Sequence, residues 1–184
     1  MNVWETPLPG VLILEPVTYE DQRGFFLESY RKDRLREIGI DCEFIQDNHS
    51  FSREAGVLRG LHYQLNPAAQ SKLVKVFAGA IYDVVVDLRR GSPTFGQWIH
   101  VVLSEANRRQ LFVPKGFAHG FCTLVANTHV LYKVDAYYSQ EHERGIAWND
   151  PDLNIFWPVS SPVLSEKDRS LPPFCNAEMN FSME

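Results

Sequence analysis

The sequence predicts an all-β fold, and three observations carry that expectation. Aromatic and β-branched residues recur in short runs rather than long ones. Turn-forming residues separate the runs, most clearly at Asn66-Pro67, Gly91-Ser92-Pro93, Pro114-Lys115-Gly116 and Ala126-Asn127. Only two stretches carry a helical pattern, and no strand–helix–strand alternation appears, which excludes a doubly wound sheet. Many short strands at near-regular spacing indicate a sandwich or a barrel.

Taken in order, strands are expected at 11–15, an apolar run before Pro16, at 25–30, which opens on Phe25-Phe26-Leu27 after Gly24, and at 43–46 around Phe44 and Ile45. The run 57–64 follows Gly56 and is apolar apart from Arg59, His62 and Gln64. The run 72–77 alternates, with Lys72, Val74 and Val76 on one face and Leu73, Lys75 and Phe77 on the other. The run 80–88 overlaps the most apolar stretch, 78–86, which Tyr82 and Asp83 interrupt. Further strands are expected at 97–103, 109–113, 120–125, 128–134 and 146–148. Helices are expected at 32–38, a charged stretch that ends at Gly39, and at 166–170, where Ser165 is a candidate N-cap and Pro172-Pro173 marks the stop.

The chain of 184 residues reads as one domain over 1–184, long enough for a proper core. A formal net charge of −5 argues against a protein that coats nucleic acid, though a local basic pocket for a phosphate is still permitted. No apolar run approaches the roughly 18–20 residues of a membrane span. The first ten residues show no positive leader followed by an apolar stretch, so no signal peptide is visible. Cys42, Cys122 and Cys175 are far apart and form no CxxC, so neither a disulfide framework nor a zinc ribbon is indicated, and the reduced cytoplasm is the expected compartment. No GxGxxG, GxxxxGK[ST] or GxSxG motif occurs, which leaves no site for a bound dinucleotide, a P-loop or a nucleophile elbow.

Several polar residues ask for an explanation. His62 lies inside an otherwise apolar strand, as a core histidine or as a general base. Arg59 and His62 differ by three, so strand parity puts them on opposite faces unless Gly60 sits at a bulge. Lys72 is either an edge-strand charge or a cation aimed into a cavity. Tyr132 and Tyr138 are core packing, a proton donor or a stacking surface. Gln46-Asp47-Asn48 is a turn or a reading edge, and Arg23 sits on a Gly turn before an aromatic strand.

Phe112-Val-Pro-Lys-Gly-Phe-Ala-His119-Gly120 resembles the second motif of the cupin superfamily, in which the histidine can be a metal ligand. The partner HxH motif is broken here as His62-Tyr63-Gln64, and no Glu follows closely. One His from each motif is a poor set of ligands for a transition metal, so no metal is expected.

The pieces together resemble the dTDP-4-dehydrorhamnose 3,5-epimerase family of that superfamily. The match runs in order from Ile13-Leu-Glu-Pro through Asp21-Gln-Arg-Gly-Phe-Phe-Leu-Glu, Gln46-Asp-Asn-His-Ser, Leu58-Arg-Gly-Leu-His-Tyr-Gln and Lys72-Leu-Val. It continues through Asp83-Val-Val-Val-Asp-Leu-Arg, the His119 motif, Tyr132-Lys and Asp150-Pro-Asp to Leu164-Ser-Glu-Lys-Asp. The resemblance implies a cupin-type jelly roll with a few short helices, a homodimer, a dTDP-sugar substrate, and catalysis without metal or nucleotide cofactor. It implies that His62 is the general base, paired with Asp168, that Tyr132 is the opposing acid, and that Lys72 stabilises enolate oxygen. It implies that Arg23, Arg59 and Lys167 bind the diphosphate or nearby sugar groups, that Glu28, Gln46, Asn48, His119 and Glu143 make other nucleotide-sugar contacts, and that Tyr138 stacks on thymine.

The chemistry suits those residue types. In a 4-keto sugar the protons on C3 and C5 both lie α to the carbonyl. Inversion needs a base on one face, an acid on the other and a cation at the carbonyl oxygen. Three rival readings stand beside this one: an epimerase acting at C3 or C5 alone, a metal-dependent cupin, and a non-catalytic nucleotide-sugar-binding module. The last has no need for His62, Asp168 and Tyr132 together.

Overall fold

The computed structural model describes residues 1–183. Its strands are β1 (Asn2–Glu5), β2 (Leu12–Glu15), β3 (Thr18–Asp21), β4 (Gly24–Leu27), β5 (Gln46–Ser52), β6 (Leu58–Gln64), β7 (Lys72–Ala78), β8 (Ala80–Asp87), β9 (Trp98–Ser104), β10 (Gln110–Val113), β11 (Phe117–Thr123), β12 (Thr128–Val134) and β13 (Glu143–Gly145). Two short helices, α1 (Lys32–Glu37) and α2 (Glu166–Arg169), and a 3-10 turn at Phe174–Asn176 complete it. One sheet has the order β1-β2-β10-β7-β12-β5 and the other β13-β6-β11-β8-β9, while β3 and β4 form a separate hairpin. From β5 to β8 and from β9 to β13 successive strands alternate between the two sheets. Every pairing within the sheets is antiparallel. This is the jelly roll that the sequence predicts.

Strand alternation sorts the side chains into three apolar layers. Between the sheets, Val74 and Val76 of β7, Ile81 and Val85 of β8, Phe117 and Phe121 of β11, Leu111 and Val113 of β10 and Val130 of β12 pack together. On the outer face of the five-stranded sheet, Leu58, Leu61 and Tyr63 join Tyr82, Val84 and Val86 under a C-terminal cover that includes Trp157 and Phe181. That cover is pinned by the Tyr63 hydroxyl, which donates to the Glu178 carbonyl at 2.7 Å, and by the Trp98 indole, which donates to the Leu153 carbonyl at 2.9 Å. On the outer face of the six-stranded sheet, helix α1 contributes only Leu35, which packs with Ile40 onto Leu14, Leu73 and Phe112. Each fully buried Leu, Ile or Val is worth roughly 1.5–3 kcal/mol of transfer free energy, so these layers carry most of the fold's cohesion.

Some expectations shift. The strand expected at 43–46 starts at Gln46 and runs to Ser52. The strand expected at 25–30 is the hairpin arm Gly24–Leu27. The expected strand 146–148 is not one; the neighbouring Glu143–Gly145 pairs with β6 instead. Strands β1 and β3 were not expected, and their residues are nearly all exposed, so no burial period marks them.

The parity conflict in β6 is resolved by a bulge. His62 pairs with His119 and Arg59 pairs with Phe121, so β6 spends three steps where β11 spends two. The extra residue returns Arg59 and His62 to the same face, toward the space between the sheets. Gly60 makes this possible with φ +107°, and a Cβ there would stand 2.7 Å from the His119 carbonyl oxygen and 2.8 Å from the Gly120 Cα. Both obstacles are backbone, so neither can rotate away. Gly60→Ala is therefore expected to cost about 2 kcal/mol or more, from positive-φ strain plus the clash, read as a lowered urea midpoint at unchanged slope.

Candidate active site

The apolar filling between the sheets gives way to a polar cavity of about 500 Å³, within the usual range for a small-molecule site. The five-stranded sheet supplies Arg59, His62, His119 and Glu143 to its wall, and the six-stranded sheet supplies Gln46, Asn48, Lys72 and Tyr132. Tyr138 stands at its rim and α2 brings Asp168. Lys167, next to Asp168 on α2, reaches the site through an ion pair with Glu143.

His62 is held by Asp168. The histidine Nε2 lies 2.6 Å from Asp168 Oδ1, and the imidazole remains 29% exposed toward the cavity while the carboxylate is buried. A carboxylate can only accept, so Nε2 carries the proton of this bond and Nδ1 is the nitrogen not engaged by Asp168. Asp168 is in turn held by the start of its own helix. The Ser165 hydroxyl donates to Asp168 Oδ2 at 2.7 Å, while the Asp168 backbone N–H donates to Ser165 Oγ at 3.1 Å. Burial pushes the Asp168 carboxyl up, but the hydrogen bonds from His62 and Ser165 outweigh it and hold the group below the ordinary carboxylate range.

Lys72 is buried, and its ammonium donates only a long bond, 3.4 Å, to the His62 carbonyl among the described residues. Burial pulls its pKa down to about 8, against the opposing pull of Asp83 and Glu143. Tyr132 faces the cavity from β12, where burial raises its phenol and the Arg59 charge partly offsets this, so it stays a proton donor at neutral pH. His119 donates from Nε2 to Asp83 Oδ1 at 2.7 Å.

A second cluster lies at the rim. The Tyr138 hydroxyl donates to Glu143 Oε2 at 2.8 Å, and the Tyr138 backbone N–H donates to Gln46 Oε1 at 3.1 Å. Gln46 donates to Asn48 Oδ1 at 2.9 Å. The Tyr138 ring is more than half exposed, an open flat surface beside the cavity. Arg59 donates to the Phe51 carbonyl at 3.1 Å, yet among the described residues its buried Nε has no partner, and neither has the buried hydroxyl of Ser50 nearby in the wall. Two unspent donors in one polar cavity suit an anionic ligand.

The structure does not bring Arg23 and Glu28 into this cavity. Arg23 sits at the tip of the β3–β4 hairpin and is bound to Asp21 at 3.0 Å, and Glu28 pairs with Arg31 at 3.3 Å. The hairpin pairs only with itself, which carries both residues away from their own chain's site. Gln64, which stands where a cupin has its second ligand histidine, spends its amide on the Ala68 carbonyl at 2.6 Å and the Ser139 N–H at 2.7 Å. Among the described residues no three His, Cys, Asp or Glu side chains cluster as metal ligands.

Two contributors escaped the sequence reading. Ser50 is a small polar residue in a polar segment and carries no signal. Asp83 does carry one: it is a charge with the same parity as Ile81 and Val85 in the most apolar strand.

A sequence model of the dTDP-4-dehydrorhamnose 3,5-epimerase family matches residues 5–176. A protein of that name from Shigella flexneri is 52% identical over 179 residues, covering 97% of this chain and 98% of the relative. The crystal structure of dTDP-4-dehydrorhamnose 3,5-epimerase from Bacillus anthracis, with TDP and PPi bound, superposes with a TM-score of 0.93 at 58% identity, covering 94% of this chain and 99% of that one. A dTDP-6-deoxy-D-glucose-3,5-epimerase from Legionella pneumophila in complex with dTDP-4-keto-L-rhamnose gives 0.91 at 48% identity, covering 95% and 93%.

The depressed Asp168 carboxyl has a consequence for stability. A group whose native pKa lies below its unfolded value of about 3.9 stabilises the fold above that pH and loses its contribution as acid protonates it. The stability gap between wild type and Asp168→Asn is expected to be about 1–3 kcal/mol near neutrality and to shrink below about pH 4, as read from urea melts across that range.

Proposed function

The chain belongs to the dTDP-4-dehydrorhamnose 3,5-epimerase family, and we propose that His62, Tyr132 and Lys72 carry that family's reaction in it. The substrate is dTDP-4-dehydro-6-deoxy-D-glucose and the product dTDP-4-dehydro-L-rhamnose. The observation that carries the assignment is the placing of base and acid on facing walls: His62 on β6 of one sheet, Tyr132 on β12 of the other. A sugar ring between them presents opposite faces to the two groups.

His62 Nδ1 takes the proton from the carbon α to the C4 carbonyl, and the electron pair moves into the enolate. Asp168 stabilises the imidazolium that forms and keeps the ring aimed. The Lys72 ammonium, on the strand next to Tyr132, neutralises the charge that collects on the carbonyl oxygen. Tyr132 then delivers a proton from the other face and the centre is inverted. The same pair serves C3 and C5, because both are α to the one carbonyl, once His62 has released its proton to water and Tyr132 has regained one from water between the two inversions. The Arg59 Nε and Ser50 hydroxyl supply donors for phosphate oxygens, and Tyr138 supplies a ring for the thymine. No step needs a metal or a nicotinamide.

A homodimer belongs to the same proposal. Phe25 and Phe26 of the hairpin and Phe77 of β7 are exposed beside one another around an apolar groove, a face that a second copy would cover. In such a pair Arg23 and Glu28 have a route to the neighbouring copy's site. Sedimentation equilibrium is expected to give twice the 21.1 kDa chain mass, and a monomer would remove this part of the reading.

The deciding experiment is proton NMR of the keto sugar with the protein in D₂O. Deuterium is expected at both C3 and C5, with the L-rhamno product trapped by a reductase. His62→Ala is expected to slow exchange at both carbons by about 10²-fold or more while dTDP still binds, and Tyr132→Phe to suppress inversion at C5 more than exchange at C3. Exchange at one carbon only would reassign the chain to single-centre epimerisation, and no exchange at either would remove the enolate mechanism.

A further inference from the structure

Strand β8 turns two acids inward, Asp83 and Asp87, and both are fully buried. Asp87 is satisfied several times over, by Arg89 at 2.8 Å and by the Ser92 and Thr94 hydroxyls at 2.7 Å each. Asp83 is not. Its Oδ1 takes one hydrogen bond from His119, and its buried Oδ2 has no partner among the described residues. A buried carboxylate oxygen left without a donor is costly, so a structural role alone accounts poorly for an acid here. Lys72 points between the sheets from β7, in the opposite sheet to β8, and is short of partners, with one long bond to the His62 carbonyl. No direct ion pair joins Lys72 to Asp83 among the described residues; Asp83 lies behind the cavity wall at His119, and its charge reaches Lys72 through the buried interior.

We propose that Asp83 is a positioning residue for the epimerisation, whose carboxylate keeps Lys72 protonated and holds His119 with its Nε2–H turned away from the sugar. This rests on the reading of Lys72 as the cation at the enolate oxygen. Arg59 and His62 on β6, His119 on β11, Tyr132 on β12 and Glu143 on β13 line the cavity with Lys72, and Asp83 on β8 stands behind His119. Of the two acids among them, Glu143 is already spent on Lys167 and Tyr138. Asp168, behind His62, is spent on that histidine and on Ser165. Asp83 is the negative charge left to offset the desolvation of Lys72, which otherwise favours the neutral amine.

The test follows the Lys72 side chain directly, by NMR titration of lysine-labelled protein with the signal assigned through Lys72→Arg. In Asp83→Asn, which keeps the shape and removes the charge, the Lys72 midpoint is expected to fall by about one pH unit or more. The basic limb of kcat is expected to move down in pH with it, and activity to approach wild type toward pH 6. An unmoved midpoint, or a loss of kcat that is equal at every pH, would overturn the proposal. Asp83→Ser, which leaves room for a water beside His119, serves if the asparagine variant does not fold. Failure of both to fold would assign the carboxylate to the fold and overturn the proposal as well. The titration needs no substrate, so a chain that did not turn over the keto sugar would still reveal whether Asp83 sets the charge of Lys72.

Discussion

A strand sends alternate side chains to opposite faces, and that period of two governs what this molecule can place in its interior. Left unbroken in β6, it would put Arg59 on the outside of the sandwich whenever His62 faces the inside. The additional residue at Gly60 breaks the period once, and the break is confined by the backbone of β11 lying too close for any side chain there. On either side of it the strand is regular, so Leu58 and Leu61 both remain in the outer apolar layer while Arg59 and His62 both face inward. One glycine therefore reconciles a continuous core on one face of the sheet with two reactive groups on the other.

The electrostatics of the site follow from burial. Ammonium, imidazole, phenol and carboxylates stand in a space flanked by apolar layers, where an unpaired charge is expensive. The arrangement meets that cost by pairing acids with histidines: Asp168 with His62, and Asp83 with His119. Each histidine has one nitrogen committed and the other free. Asp168 is braced by Ser165, so the His62 imidazole is held both by its own strand β6 and by a helix that belongs to neither sheet.

What was legible in the sequence tracks what each strand faces. Strands β7 and β8 put apolar residues against apolar layers, and their runs are plain. Strand β5 escapes because its inward residues, Gln46, Asn48 and Ser50, line a polar cavity and its outward Asp47 and His49 are exposed, so neither face shows a hydrophobic period. Strands β1 and β3 are exposed almost throughout and have no burial to report. The cavity residues were found through the ordered motif match, since His62 or Tyr132 alone reads equally well as packing. Arg23 and Glu28 came with the same match, yet the path of the β3–β4 hairpin takes them away from the cavity, and a motif match carries no information about that path. The bulge was legible as a conflict of parity before its geometry was seen.

The alternation of strands between the two sheets also bears on how the protein comes into being. His62 and its partner Asp168 are 106 residues apart, and the two sheets close only through contacts between distant segments. Such topologies have high contact order, and the entropy of closing long loops must be met before the contacts can repay it. His62 and Lys72 lie ten residues apart in the chain, while Tyr132 and Asp168 come from distant segments. The cavity is therefore complete only once both sheets and α2 are in place.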